Sequence, residues 1–153
     1  MKKKILTGIT ALVLIALLAV GLMKQITDYN SVINANWGFN IPRKAHYEEI
    51  YSKDSGSSFH GDGIRYHVFS YENEEPVSEM FFWGENNGPT RFHDHYQQAA
   101  CDWLTEISVP IESYPDFQNC HYAYFHGPDD PRNEIIILWN SEADLLHICE
   151  SFM

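Results

Sequence analysis

The chain has 153 residues, 44% of them hydrophobic, and 21 acidic against 10 basic side chains. Four of the basic ones (Lys2, Lys3, Lys4 and Lys24) precede residue 28, so residues 28–153 set 6 basic against all 21 acidic residues, a formal charge of −15. That sign repels phosphate backbones and anionic headgroups and excludes nucleic acid as a partner, while the wealth of aromatic residues excludes an acidic disordered tail.

The chain opens MKKK and then runs uncharged from Ile5 to Met23, about 19 residues. At 1.5 Å per residue this nearly matches the roughly 30 Å hydrocarbon core of a bilayer, so residues 1–24 are expected to be a membrane segment. The three lysines stay cytoplasmic by the positive-inside rule, which places the rest of the chain in an extracytoplasmic position. Ala19, Val20 and Gly21 offer a small-x-small cleavage site, but signal peptides usually have a shorter apolar region, about 7 to 15 residues. A single-pass, uncleaved signal-anchor is therefore the preferred reading, with secretion after cleavage near Gly21 the alternative. No cysteine lies in or just after the run to carry a lipid. Residues 25–36 read as a juxtamembrane linker or a short continuation of the membrane helix, and residues 37–153 as one extracytoplasmic domain, long enough for a core and too short for two.

Within that domain, Ala45 to Ser52 alternates loosely and Ile64 to Tyr71 alternates well. Ile64, Tyr66 and Val68 share one face while Arg65, His67 and Phe69 share the other, as in a half-buried strand. With the Gly-rich loop between them, the two segments predict a hairpin. VSEMFFW, from Val77 to Trp83, fits a helix and a strand equally. A turn at Asn86 to Pro89 then leads to Phe92, Tyr96, Ala99, Trp103 and Ile107, whose three- and four-residue steps predict the main helix. After Pro110, residues 120–126, 134–139 and LLHICESF read as three strands on short loops, an antiparallel meander. The middle one, EIIILW, has the apolar run of a strand covered on both faces. The sum is an α+β fold: an N-terminal transmembrane helix, then a small antiparallel sheet with one main helix on a face.

Three cysteines cannot pair evenly, and the meander separates Cys120 from Cys149 by about two strand spacings, beyond disulfide reach. Cys120 and Cys149 are thus expected as buried strand thiols and Cys101 as a thiol turned to solvent. His93 and His95 in RFHDHY look like a metal pair, but two residues apart on a helix they diverge by about 160°. No HExxH, CxxC or G-x-S-x-G occurs, so no metal, cofactor or catalytic residue is assigned.

The stretch DSGSSFHGDG, residues 54–63, gathers the side-chain oxygens of Asp54, Ser55, Ser57 and Asp62 in one loop. It lacks the spacing of a calcium loop and the Gly-Lys-Ser/Thr ending of a phosphate cradle. Gly61 and Gly63 suit a positive-φ turn, with Asp62 placed to accept its own backbone N–H groups. A hairpin needs only about two turn residues, so the extra length marks Phe59, His60, Asp62 and Asp54 as candidate ligand-binding residues, with Glu48, Tyr47 and Tyr66 as neighbours.

SFHGDGIRYHVFSY, with Asp54 before it and NEIIILWNSEADLLHICE after it, resembles small membrane-anchored or lipoprotein-like extracytoplasmic proteins of Gram-positive bacteria. Those proteins carry a Gly-Phe-His-Gly-Asp-Gly loop between early strands and a final apolar strand pair. The match covers about half of the domain and is tight over Phe59 to Gly63, with Ser58 in place of the usual Gly and no lipid-anchor cysteine. It implies extracytoplasmic placement and an α+β fold, and no activity. Two functions are therefore expected: a non-enzymatic interaction domain contacting another envelope or secreted protein, or a cation- or small-ligand-binding ectodomain using the 54–63 loop.

Overall fold

The computed structural model describes residues 29–43, 46–56, 62–83 and 91–153, the side chains of residues 91–94 excepted. Among them no helix is long and apolar enough to cross a membrane; the run from Ile5 to Met23 lies outside them. The chain divides into two compact units, residues 1–40 and residues 41–153. In the first, α1 (Tyr29–Trp37) occupies much of the predicted linker, with Asn30, Ile33 and Trp37 as its buried residues. It stops at Gly38, whose φ of 76° suits glycine and whose N–H donates to the Asn34 carbonyl.

The second unit is one five-stranded antiparallel sheet with helices, the α+β architecture that the alternation pattern predicts. Its strands are β1 (Tyr47–Asp54), β2 (Gly63–Tyr71), β3 (His121–His126), β4 (Glu134–Asn140) and β5 (Leu145–Phe152), in the order β1-β2-β5-β4-β3. β1 and β2 form the predicted hairpin, with a bulge near Ile50 that leaves this side chain exposed. β3, β4 and β5 form the predicted meander, with β4 between the other two. The Val77–Trp83 segment starts in the end of a single helical turn, α2 (Glu75–Ser78), which has Pro76 in its first turn, and continues as irregular chain.

The main helix, α3 (Arg91–Glu106), covers one sheet face. Tyr96, Ala100, Trp103 and Leu104 pack with Ile107 just beyond the helix on Ile64, Tyr66, Val68, Ile136, Leu138 and Cys149. Ala100 is the fully buried alanine and Ala99 only partly so, a shift of one position from the predicted stripe. The helix ends in a Schellman-type turn: Val109 N–H donates to the Leu104 carbonyl and Ser108 N–H to that of Thr105, with Ser108 at φ 56°. Pro110 then prevents continuation.

Burial on the opposite face explains why β4 reads as a nearly unbroken apolar run. Ile135, Ile137, Trp139, Leu146 and Ile148 are buried there. Irregular chain lies over part of it: Tyr71 donates to the Pro42 carbonyl at 3.3 Å, and Phe81 meets Phe125 at 5.1 Å between rings. The β4–β5 turn is organised by Asn140, whose carboxamide oxygen accepts N–H bonds from Glu142 and Ala143, both at 3.1 Å.

Two polar groups are buried under α3. Tyr66 Oη donates to the Ser113 carbonyl at 2.6 Å, so the His147 Nδ1–H, 2.8 Å away, donates to the same oxygen. Burial, followed by the neighbouring Cys149 and Cys120, raises the Tyr66 pKa, and burial lowers that of His147 to about 4.

All three thiols are free, with Cys120 and Cys149 buried. Cys120 lies one residue before β3 and not within it. Cys101 corrects the sequence expectation: it is half-buried, because it sits near the edge of the packed stripe and not opposite to it. Burial pushes all three thiols up, Cys120 to about 12, so little thiolate exists at neutral pH. The expected result is that a disulfide-exchange reagent modifies all three thiols in denaturant without prior reduction, and that Cys120 and Cys149 react slowly in the folded chain. Fewer than three thiols before reductant is added would contradict the free assignment.

Candidate functional site

The 54–63 loop closes the hairpin at one end of the sheet. Phe59 and His60 lie outside the described residues, as does Gly61. At the loop's base, Asp54 Oδ1 accepts from Gly56 N–H at 2.9 Å and Ser55 Oγ accepts from Ile64 N–H at 2.9 Å. Ser55 N–H also donates to the Ile64 carbonyl. The carboxylate of Asp54 is thus used within its own turn. The turn in which Asp62 is expected to accept backbone N–H groups lies in residues 57–61, outside the described residues. Asp62 is exposed and contributes to the raised pKa of Arg132, after that side chain's dominant hydrogen bond with Asp130.

The proposed neighbours of this loop do not gather around it. Tyr66 is buried beneath α3, and Tyr47 stacks on Tyr71 at the opposite end of β1 from Asp54. Glu48, paired with Ser70, lies at that far end too. Strand direction explains this: seven residues of extended chain separate Tyr47 from Asp54, about 23 Å.

Gly63 is the residue the loop base cannot do without. Its φ is 150°, and a Cβ there would stand 2.3 Å from Ser55 Oγ. Gly63→Ala is expected to cost about 2 kcal/mol by combining backbone strain with loss of the Ser55 bond, and Ser55→Ala alone about 1 kcal/mol. In the double variant the clash has no partner, so its loss should be smaller than the sum. Chemical denaturation of the four proteins measures this; strict additivity would contradict the contact.

A second group of polar side chains lies on the sheet face opposite α3. An open cleft of about 340 Å³ is lined by Glu74, Ser78, Trp83, His121, Trp139 and Ser141. Topology assembles it: antiparallel register sets His121, first in β3, directly across from Trp139 near the end of β4, and Ser141 follows in the turn. The 74–83 segment supplies the other wall. Trp83 is pinned there, its indole N–H shared between the carbonyls of Val77 and Ser78 at 3.1 Å each. Ser78 Oγ donates to the Glu74 carbonyl at 2.9 Å.

The floor is Trp139, 1% exposed, with its ring edge against Tyr71. Its indole Nε1 is the one buried side-chain nitrogen or oxygen among the described residues that lacks a hydrogen-bond partner. Leaving such a donor unmet costs roughly 1–3 kcal/mol, and buried polar groups are almost always satisfied. The N–H itself is inaccessible from the cleft, to which Trp139 contributes part of the lining.

Chemically the described residues of the cleft offer one carboxylate, one imidazole, two hydroxyls and two indoles, with no lysine or arginine among them. Ser78 is committed to a backbone carbonyl, so it is not arranged with His121 as a nucleophile with its base. Among the described residues no three His, Cys, Asp or Glu side chains gather in a geometry that could hold a metal ion. His95 sits exposed within α3, and the side chain of His93 lies outside the described residues.

None of the six cleft residues stands out in the sequence as a site. They come from three separated segments, and only the β3–β4 register, centred on the Gly127–Asn133 turn, brings residue 121 opposite 139. Comparison with protein-family models, with curated proteins and with solved structures finds no match for this chain.

Proposed function

We propose that the chain is a membrane-tethered, extracytoplasmic binding domain without catalytic activity, whose ligand is a small polar molecule held in the Trp139 cleft. The observation that carries this reading is the cleft itself, about 340 Å³, whose lining sets Glu74, His121 and Ser141 beside the indoles of Trp83 and Trp139. The uncharged run from Ile5 to Met23 behind three lysines supports the tether and the placement. The 54–63 loop, with Asp54 engaged at its base, is a weaker candidate for the same role.

The test is a melting-temperature survey of the full chain in detergent against neutral sugars, amines and carboxylates. A ligand that binds only the folded state stabilises it by RT ln(1 + c/Kd) at free concentration c, so the midpoint rises with the logarithm of ligand concentration above Kd. One class is expected to do so in the wild type and to lose its effect in His121→Ala, which removes a polar group from the cleft lining. Silence from every class would overturn the cleft as the site.

A protein partner at the cell envelope is the second reading. Phe82, fully exposed beside the Phe81–Trp83 pair, is the observation that favours it.

A further inference from the structure

We propose that β1 is an interface between two copies of this chain, each strand pairing antiparallel with its counterpart across a two-fold axis. β1 ends the sheet and is hydrogen-bonded to β2 on one side only. Along its outer side, the backbone groups from Tyr47 to Asp54 meet no other backbone among the described residues, and six of the eight side chains are exposed. Such an edge is a template for another strand. Ile50, an aliphatic side chain at its middle, is 52% exposed.

The occupant follows from the face that each β1 side chain takes. Register with β2 puts Glu48 and Lys53 on the α3 side, across from Ser70 and Tyr66, and Tyr51 joins them across from Val68 with its ring against Tyr66. Tyr47, Glu49, Ser52 and Asp54 take the other side, across from Tyr71, Phe69, His67 and Arg65. Odd and even positions thus exchange faces at the bulge near Ile50. A bulge normally blocks an edge, because the incoming strand lacks the extra residue; a second copy carries the same bulge, and the counts match.

Opposite residues of a continuous sheet share a face, so each residue before the bulge must meet one after it. The register that uses all of β1 sets Tyr47 against Asp54, Glu48 against Lys53, Glu49 against Ser52 and Ile50 against Tyr51 of the second copy. By symmetry it makes the Glu48 and Lys53 pair twice, and neither residue has a charged partner in its own chain among the described residues. Sliding the second strand by two residues one way sets Glu49 against Asp54, and the other way sets Glu48 against Tyr51. The strand is complementary in charge to itself in one register, a property that a foreign partner would not require.

The two domains, each of formal charge −15, repel at long range. At physiological ionic strength that repulsion is screened beyond about 8 Å, whereas cross-strand partners stand about 5 Å apart. A contact one strand long is small for a specific interface, so a dissociation constant of roughly 10–1,000 μM is expected.

Sedimentation equilibrium of the full chain in a density-matched, uncharged detergent, over concentrations spanning that range, tests this. A monomer–dimer equilibrium is expected. Lys53→Glu and Glu48→Lys, both at exposed positions, should each weaken it about tenfold by turning two attractive pairs into repulsive ones, and the double variant should restore it. A monomer at every concentration leaves the edge to a strand of a different protein and overturns the proposal. Dimers that neither single variant weakens are joined elsewhere and overturn it too. So does a double variant as weak as the singles, because Glu48 and Lys53 then do not face each other. Assemblies that grow beyond the dimer point to β1 on the β3 edge of the next copy, an open head-to-tail chain, and contradict the two-fold pairing.

Discussion

Replacing Trp139 by Phe is expected to leave stability within about 1 kcal/mol of wild type, whereas Trp139→Ala should cost about 3–5 kcal/mol. The two outcomes separate the ring from its N–H. Trp139 is buried between β4's neighbours, packed edge-on to Tyr71, so deleting the whole side chain leaves a large cavity. Phenylalanine keeps most of the packing and removes a donor that has no partner. The smaller ring leaves a minor void, costing on the order of 1 kcal/mol, and relief of the unmet N–H offsets it. A hydrogen-bonded tryptophan in the same place would behave differently, with Phe costing the bond as well as the void. Urea denaturation of the full chain measures both; a loss above about 2 kcal/mol in Trp139→Phe would mean that the N–H is bonded.

The second large effect is on pH. His147 is 4% exposed, and burial holds its pKa at about 4 in the folded chain against an ordinary 6.5. Between these values the unfolded chain carries the extra proton, so stability rises with pH across that window. The His147 contribution is complete above about pH 6.5 and is lost as pH falls to about 4, a difference on the order of 3 kcal/mol. His147→Asn keeps a donor near Tyr66 Oη and does not titrate. Its stability is expected to fall less steeply than wild type over this window, whatever its offset at neutral pH. Parallel wild-type and variant profiles would show that His147 is not the titrating group.

How far the sequence revealed the fold depends on which residues set each feature. The hairpin, the meander and the helix were legible because Ile64, Tyr66 and Val68 alternate and Tyr96, Trp103 and Ile107 recur at helical steps, patterns that local geometry imposes. The type of Val77–Trp83 was not, since the end of one helical turn, Glu75–Ser78, followed by irregular chain has no period to read. Cys101 was misplaced for a related reason: an α-helix packed on a broad sheet buries a wider stripe than its strongest residues mark.

The site was less legible still. The 54–63 loop attracted notice because its polar residues adjoin in sequence, yet Asp54 and Ser55 work on the backbone of the loop itself. The cleft joins Glu74, His121 and Trp139, which no linear pattern connects. An aromatic inside an apolar strand run such as EIIILW reads as core, and its unmet N–H is visible only when the partners around it are known.

The most direct measurement is of the indole ¹⁵N–¹H resonances in the full chain, followed as a binding probe from the melting survey is added. Of the chain's four tryptophans, Trp83 and Trp139, the two that line the cleft, are expected to show the largest shifts. A bound ligand that moves the Trp37 or Trp103 resonance and leaves Trp83 and Trp139 unchanged would contradict the cleft as its site.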